Sequence, residues 1–336
     1  MIVFTADLHF TSRRFGDLTE HYRRVWEEVL EAASRADLFV ILGDIVHVPR
    51  DVKLTDVAMF CAGLNEVAVP TVVIRGNHDP IELFTLLKEA VPRHVELVTE
   101  PSCVETAGYR IACLPFVEHL DQRDALAGLP EADMLILHGT VEGVVFPSGV
   151  SAEEFVPLQL LRRWPLVACG HIHSYQVCGE NAVVFYPGSL MPTDFGDLSQ
   201  KGYVVLKPGG KPVFTPVSAP AVEVVSITVG EEPMRDVAEG VSKLQPGCIV
   251  RLDISGHQSD LARIDYQALK AMLPEPVFYE LIVQPIERVK SEEVIAGGIT
   301  ALPPAEQLRA YLEREGVELL EEVYAKGLGI IESRGA

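Results

Sequence analysis

Continuous apolar runs and helical patterns alternate through the first half of the chain. Ile2-Val3-Phe4, Leu38 to Leu42, Thr71 to Ile74, Met134 to Leu137 and Leu166 to Ala168 read as buried strands. Between the first of them lie segments of helical period. Residues 17–35 set Val25, Trp26, Val29, Leu30 and Ala33 on one face, and residues 53–67 and 79–90 are helical too. Unbroken apolar strands separated by helices predict an α/β class with a sheet covered on both faces. After Ser174 the pattern changes. YQVCG, AVVFYPG, KGYVVLKPG and KPVFTPV are strands punctuated by glycine and proline with no helix between them. They predict antiparallel hairpins that extend or flank the main layers.

Ser218-Ala219-Pro220 reads as a linker. The organisation expected is a main domain over 1–218, a small α+β domain over 221–284, and a connection with C-terminal helices over 285–336. AVEVVSITV, CIVRLDIS and PVFYELIV, with helices near 232–244 and 259–273, make the small domain a βαβαβ unit. Leu308, Leu312, Leu319, Leu320 and Val323 form an apolar stripe in the last segment, which either packs on the domain or docks a partner.

Composition narrows the class. With 336 residues, 48% hydrophobic and 23% charged, the chain can bury one large core and a smaller one. No apolar run is long enough to span a membrane, and MIVFTADLHF reads as a first strand rather than a signal peptide. The expectation is a cytoplasmic protein. No CxxC pair occurs among the six cysteines, so free thiols are expected. A net charge of −20 argues against a broad basic surface.

The candidate chemistry lies where the strands end. IVFTA leads into Asp7-Leu8-His9, FVILG into Asp44, VVIRG into Asn77-His78-Asp79, MLIL into His138-Gly139, and LVACG into His171-Ile172-His173. Turns favour Asp, Asn and Gly, so one such ending means little. Five in one chain put carboxylate, amide and imidazole ligands on the edge where α/β proteins build sites. Seven candidate ligands exceed one ion's needs and suit two ions with a shared carboxylate. Oxygen and imidazole without thiolate suit Mn²⁺, Fe²⁺ or Zn²⁺.

The series Asp-x-His, Gly-Asp, Gly-Asn-His-Asp, His-Gly, Gly-His-x-His resembles the calcineurin-like metallophosphoesterases, in the family's order across residues 7–173. The resemblance implies a four-layer α-β-β-α sandwich with two divalent ions, Mn²⁺ first among them. It implies that Asp7, His9 and His173 hold one metal, that Asn77, His138 and His171 hold the other, and that Asp44 bridges. His78 would contact the phosphate, with Asp79 orienting it. Two cations clamp phosphate oxygens and lower the pKa of a bound water, and a histidine near neutrality assists the leaving group.

GDIVHVP sets His47 three residues after Asp44. This is similar to the SbcD-type DNA repair exonucleases, and the small domain and LPPAEQLRAYLERE resemble that branch's capping domain and C-terminal region. The resemblance implies a 3'-5' DNA exonuclease, with endonuclease activity as a further option, acting in DNA repair, in which His47 supports the leaving group or positions the phosphate. It further implies an SbcC-type SMC-like ATPase partner and a homodimer, with the first two helices, where Val25, Trp26 and Met59 lie, as the candidate interface. The alternative is a phosphodiesterase acting on a small nucleotide or cyclic nucleotide. Arg13, Arg14, Arg50, Lys53 and Arg75 lie near the ligand loops in sequence, either lining a backbone-tracking groove or forming ordinary surface. Ser189 of Pro-Gly-Ser either touches a phosphate or ends a strand. His21, His94, His119 and His257 read as surface or core residues.

Overall fold

A computed structural model describes residues 1–10, 14–48, 52–146, 155–179 and 183–286. The apolar runs become the inner strands of two six-stranded sheets. In the first, β1 (Ile2–Thr5), β2 (Leu38–Ile41), β3 (Thr71–Ile74) and β4 (Val95–Val98) are parallel neighbours. On the other side of β1 lie β11 (Gly202–Leu206) and β12 (Val213–Pro216), both antiparallel. The second sheet has the order β5 (Ser102–Thr106), β6 (Tyr109–Leu114), β7 (Met134–His138), β8 (Leu166–Gly170), β10 (Val183–Tyr186), β9 (Gln176–Cys178).

Side chains alternate across a strand, so each inner strand feeds two cores. Ile2, Phe4, Val40, Val72 and Ile74 of the first sheet meet Ile111, Ile136, Ala168 and Phe185 of the second between the sheets. Phe4 and Phe185 touch edge to face there, with ring centroids 5.2 Å apart. Val3, Phe39, Ile41 and Val73 point outward beneath α1 (Thr19–Ala33), α2 (Leu54–Glu66) and α3 (Ile81–Ala90). Leu135, Leu137 and Val167 do the same beneath α4 (Gln122–Gly128) and α5 (Leu158–Leu161). Three cores between four layers make the α-β-β-α sandwich.

Three differences from the sequence pattern have physical causes. The strands β4, β5 and β6 were not legible. The β5–β6 hairpin turns at Ala107 and Gly108, both with positive φ (49° and 78°), and an Ala-Gly pair is a weak signal for such a turn. The late hairpins do not lie together. β10 joins the second sheet parallel to β8, while β11 joins the first antiparallel to β1. The helix expected near 259–273 is two, α7 (Gln258–Leu261) and α8 (Tyr266–Met272), because Asp265 caps the second by accepting from the amides of Gln267 and Ala268.

β13 (Val222–Val229), β14 (Ile249–Gly256) and β15 (Phe278–Pro285) form a parallel three-stranded sheet. With α6 (Pro233–Val241) and α8 it has its own core around Val237, Leu252, Ile254 and Leu269. It also rests on the larger unit: Phe278 contacts Phe15 and Phe195, at centroid distances of 5.7 and 6.4 Å. The apolar stripe at 308–323 lies outside the described residues, as do Arg13 and Arg50. All six cysteines are free, and burial pushes the Cys113 thiol up to about 12. No helix among the described residues is long and apolar enough to cross a membrane. Val25 and Trp26 are buried in the core, which removes them from any dimer surface.

Gly63 in α2 tests that packing. Alanine ordinarily stabilises a helix relative to glycine by about 1 kcal/mol. Here its methyl would collide with Trp26 Nε1 and come within 2.7 Å of Leu30 Cδ1. Gly63→Ala is therefore expected to lose about 1–3 kcal/mol in urea unfolding. Gly128→Ala, which meets nothing within 4 Å, is expected to be neutral or slightly stabilising.

Candidate metal centre

The five strand ends converge at one edge of the sandwich. Past β1 and β2 the chains stay paired, with the Asp7 amide donating to Gly43 O and the His9 amide to Asp44 O, each at 3.0 Å. Asp7, His9, Asp44 and His171 all have left-handed φ, of 49°, 43°, 54° and 100°. Asp and His tolerate that region better than most residues, yet each such position costs about 1–3 kcal/mol. The glycines preceding the ligands have a steric reason. A Cβ on Gly76 would strike the Asp44 amide, and one on Gly170 would strike Leu42 O and approach His138 Nδ1 to 2.8 Å.

Two ligand groups result. Candidate atoms of Asp7, His9 and His173 lie within 4.8 Å of one another, and so do those of Asp44, His138 and His171. Asp44 Oδ2 lies between them, 3.5 Å from His138 Nε2 and 3.7 Å from His9 Nε2. Its other oxygen accepts the His78 amide at 2.8 Å. Asn77 Oδ1 is 2.8 Å from His138 Nε2 and 2.9 Å from His171 Nδ1. The structure thus brings all seven residues together.

The donor set fits cations. His138 Nδ1 donates to Leu42 O at 2.7 Å, His173 Nδ1 is hydrogen-bonded with Thr193 Oγ1 at 3.0 Å, and His9 Nδ1 faces Val46 O at 3.3 Å. Those bonds fix the tautomers and turn the Nε2 lone pairs inward. There His9 Nε2 and His173 Nε2 face each other at 3.0 Å. Acceptor against acceptor in a dry site is repulsive unless a positive charge lies among them.

The titration pattern has the same origin. Burial pushes Asp7 up to about 8. Burial also acts to raise Asp44, but His138 outweighs it and holds Asp44 below the usual carboxylate range. Burial acts to lower His138, but the Asp44 charge lifts it to about 9. Burial keeps His171 and His173 at about 4 and His9 well below its ordinary value. Burial thus favours the neutral form of His9, His171 and His173, the form able to ligate a cation, while Asp44 and His138 form a buried ion pair.

His78 stands beside the first group, its ring edge to face with His9 at 4.9 Å. His47 stacks on His78 at 6.0 Å and 14°, and its buried Nδ1 has no hydrogen-bond partner. The expected role of Asp79 needs correction. Its oxygens accept from the amides of Ile45 (2.8 Å), Val46 (3.2 Å) and Gly76 (3.0 Å), and the hydrogen bond of the His78 ring goes elsewhere. The His47 carbonyl orients His78 instead, 2.6 Å from Nδ1. Asp79 ties the Asp44 loop to the Asn77 loop. Arg75 is likewise no groove residue. It is buried, donating from Nε to Asp79 O and paired through both Nη atoms with Glu118. Arg14 pairs with Glu280, and Ser189 is buried and donates to Met191 O. Lys53 precedes α2 and is half-buried.

Sequence reasoning missed Thr193, Gln122 and Lys201. Gln122 holds the His138 carbonyl at 2.7 Å, and Lys201 holds that of His173 at 3.1 Å. None belongs to a motif, and none is distinguishable in the sequence from an ordinary surface residue. His94 contacts Val67 O and His257 contacts Ile286 O, away from the ligands. His119, read as bland, lines a cavity of about 710 Å³ beside Asn77, His138 and His171, together with Phe116, Arg123 and Phe155.

Asp79→Ala would orphan three buried amides at about 1–3 kcal/mol each. A loss above about 3 kcal/mol is expected in urea unfolding of metal-free protein, and a loss under 1 would show that the loops hold without it.

Residues 1–189 match the family described as Calcineurin-like phosphoesterase. A phosphoesterase-like protein of Invertebrate iridescent virus 6 is 24% identical over 225 residues, 61% of this chain and 75% of that protein. An uncharacterized protein of Acanthamoeba polyphaga mimivirus is 24% identical over 233 residues, 61% of this chain but 17% of its own length. Among solved structures, an archaeal phosphodiesterase is 15% identical, covering 62% of this chain and 93% of that one with a TM-score of 0.37. The Pseudomonas putida nuclease MPE is 16% identical, covering 63% and 87% with a TM-score of 0.29. The family match takes in more than half of the chain and all seven gathered candidate ligands, from Asp7 to His173, so the chain belongs to the calcineurin-like phosphoesterases, a family of dinuclear, metal-dependent hydrolases.

Proposed function

We propose that this phosphoesterase cleaves phosphodiester bonds and that its substrate is DNA, degraded from an end as in the SbcD-type nucleases. The observation that carries the dinuclear reading, on which this phosphoester chemistry rests, is Asp44 Oδ2, set between two candidate ligand groups. Asp7, His9 and His173 would hold one divalent cation, and Asn77, His138 and His171 the other, with Mn²⁺ first and Fe²⁺ or Zn²⁺ as alternatives. When bound, the pair supplies Lewis acidity towards phosphate oxygens and a water of lowered pKa. The chain's own residues do the rest. His78, with Nδ1 on the His47 carbonyl, has Nε2 as the nitrogen that would hold or deliver a proton to the leaving oxygen. His47, stacked on His78, is the further residue proposed to support the leaving group or position the phosphate.

The further parts of the proposal are an SbcC-type SMC-like ATPase partner, a homodimer and a cytoplasmic setting. The free thiols suit that setting. A second reading, a small nucleotide or cyclic nucleotide, is favoured by two observations. The cavity of about 710 Å³ with Phe116 and Phe155 is nucleotide-sized, and Arg75 and Arg14 are engaged in ion pairs.

Mn²⁺-dependent hydrolysis of end-labelled duplex DNA, run beside bis-p-nitrophenyl phosphate, tests both. Wild type is expected to cut both substrates. His78→Ala should lower kcat on each by about 10²–10⁴, and His47→Ala should lose DNA cleavage chiefly. Cleavage of the small ester alone, with or without the ATPase, would favour the second reading. Mn²⁺ at 100 times its Kd should raise stability by about 2.7 kcal/mol. Asp44→Asn should abolish that gain, and its persistence would count against a bridging Asp44.

A further inference from the structure

Lys201 is a buried cation that the proposed chemistry does not use. It immediately precedes β11, which runs antiparallel to β1 with Phe4 opposite Val204. Continuing that register sets Lys201 level with Asp7, behind the first ligand group. Its side chain is 3% exposed. Nζ is ion-paired with Asp197 and lies 3.1 Å from each of His173 O, Ser189 Oγ and Ser199 Oγ. Asp197 is as buried. Its Oδ1 takes Lys201 and Ser199, while Oδ2 has no hydrogen-bond partner and lies 4.0 Å from His173 Nδ1.

Stability does not account for this arrangement. A buried ion pair is commonly no better than apolar side chains of the same volume, because desolvation offsets the attraction. What apolar residues could not do is hold His173. Its carbonyl accepts from Lys201 and from the Ser189 amide at 3.0 Å, and its Nδ1 is hydrogen-bonded with Thr193 Oγ1. Main chain and ring are thereby fixed, with Nε2 aimed at His9 Nε2. Thr193, Asp197 and Lys201 all come from the single stretch that joins β10 to β11.

We infer that Lys201 and Asp197 are positioning residues for the cation held by Asp7, His9 and His173, acting through the backbone and ring of His173. The inference rests on the dinuclear reading. Residues that orient metal ligands typically change metal affinity by about 10–100-fold when lost. The second group has its own supports, Gln122 and the Leu42 carbonyl, and keeps its affinity.

The test is a two-site Mn²⁺ titration of the full chain by calorimetry, with melting of the metal-free protein alongside. The variants are Lys201→Met/Asp197→Asn, which removes both charges and keeps volume, and Thr193→Val, which leaves the ion pair intact. His173→Ala and His171→Ala serve as references for loss at each group. Wild type should bind two ions. The double variant should melt close to wild type, bind the first-group ion about 10–100-fold more weakly as His173→Ala does, and recover bis-p-nitrophenyl phosphate turnover at high Mn²⁺. Thr193→Val should move in the same direction by less. Unchanged affinity in both variants would overturn the inference, as would equal weakening at both groups together with a lowered melt. Fewer than two ions on wild type would remove the dinuclear reading, and this inference with it.

Discussion

Three carboxylates, those of Asp7, Asp44 and Asp79, are buried where the two sheets meet, and each must be satisfied without water. Each takes backbone amides from a different strand's loop. Asp7 accepts from His171, Asp44 from His78, and Asp79 from Ile45, Val46 and Gly76. This requirement stitches the ends of β1, β2, β3 and β8 together. At Asp44 the candidate ligand geometry follows from it, because Oδ2, the oxygen not taken by the His78 amide, faces His9 and His138.

The same requirement explains the backbone. Loops that must offer both an amide and a side chain to one small space cannot all stay in ordinary conformations. Asp7, His9, Asp44 and His171 therefore occupy left-handed φ, and the neighbouring glycines let chains approach where a methyl would clash. The cost is carried by three apolar cores whose strands are buried on both faces. A rigid sandwich can hold strained loops that an isolated hairpin could not.

The basic residues serve positioning more than surface charge. Arg75 clamps the 116–118 segment to the Asn77 loop, and Lys201 braces His173. The stretch that carries Lys201 also carries Phe195, which packs on Phe15 and Phe278, with Arg14 and Arg251 over its ring. The small three-stranded unit thus rests on the segment that orients one ligand. With a net charge of −20 and these cations engaged, long-range attraction to a polyanion would have to come from few side chains.

The sequence by itself determined the strands that are apolar throughout and the residues at their ends. Both are local properties: burial on two faces demands an unbroken apolar run, and glycine beside Asp, Asn and His marks a tight turn with ligands. Thus β1, β2, β3, β7 and β8, and the seven gathered ligands, were legible. Pairing was not. That β10 and β11 part company into different sheets, that Asp79 binds loops rather than His78, and that Arg75 is buried depend on contacts between residues far apart in the chain. Lys201 is the clearest case. Nothing in QKGYVV distinguishes it from a surface lysine, and only the antiparallel pairing of β11 with β1 brings it behind Asp7 and against His173.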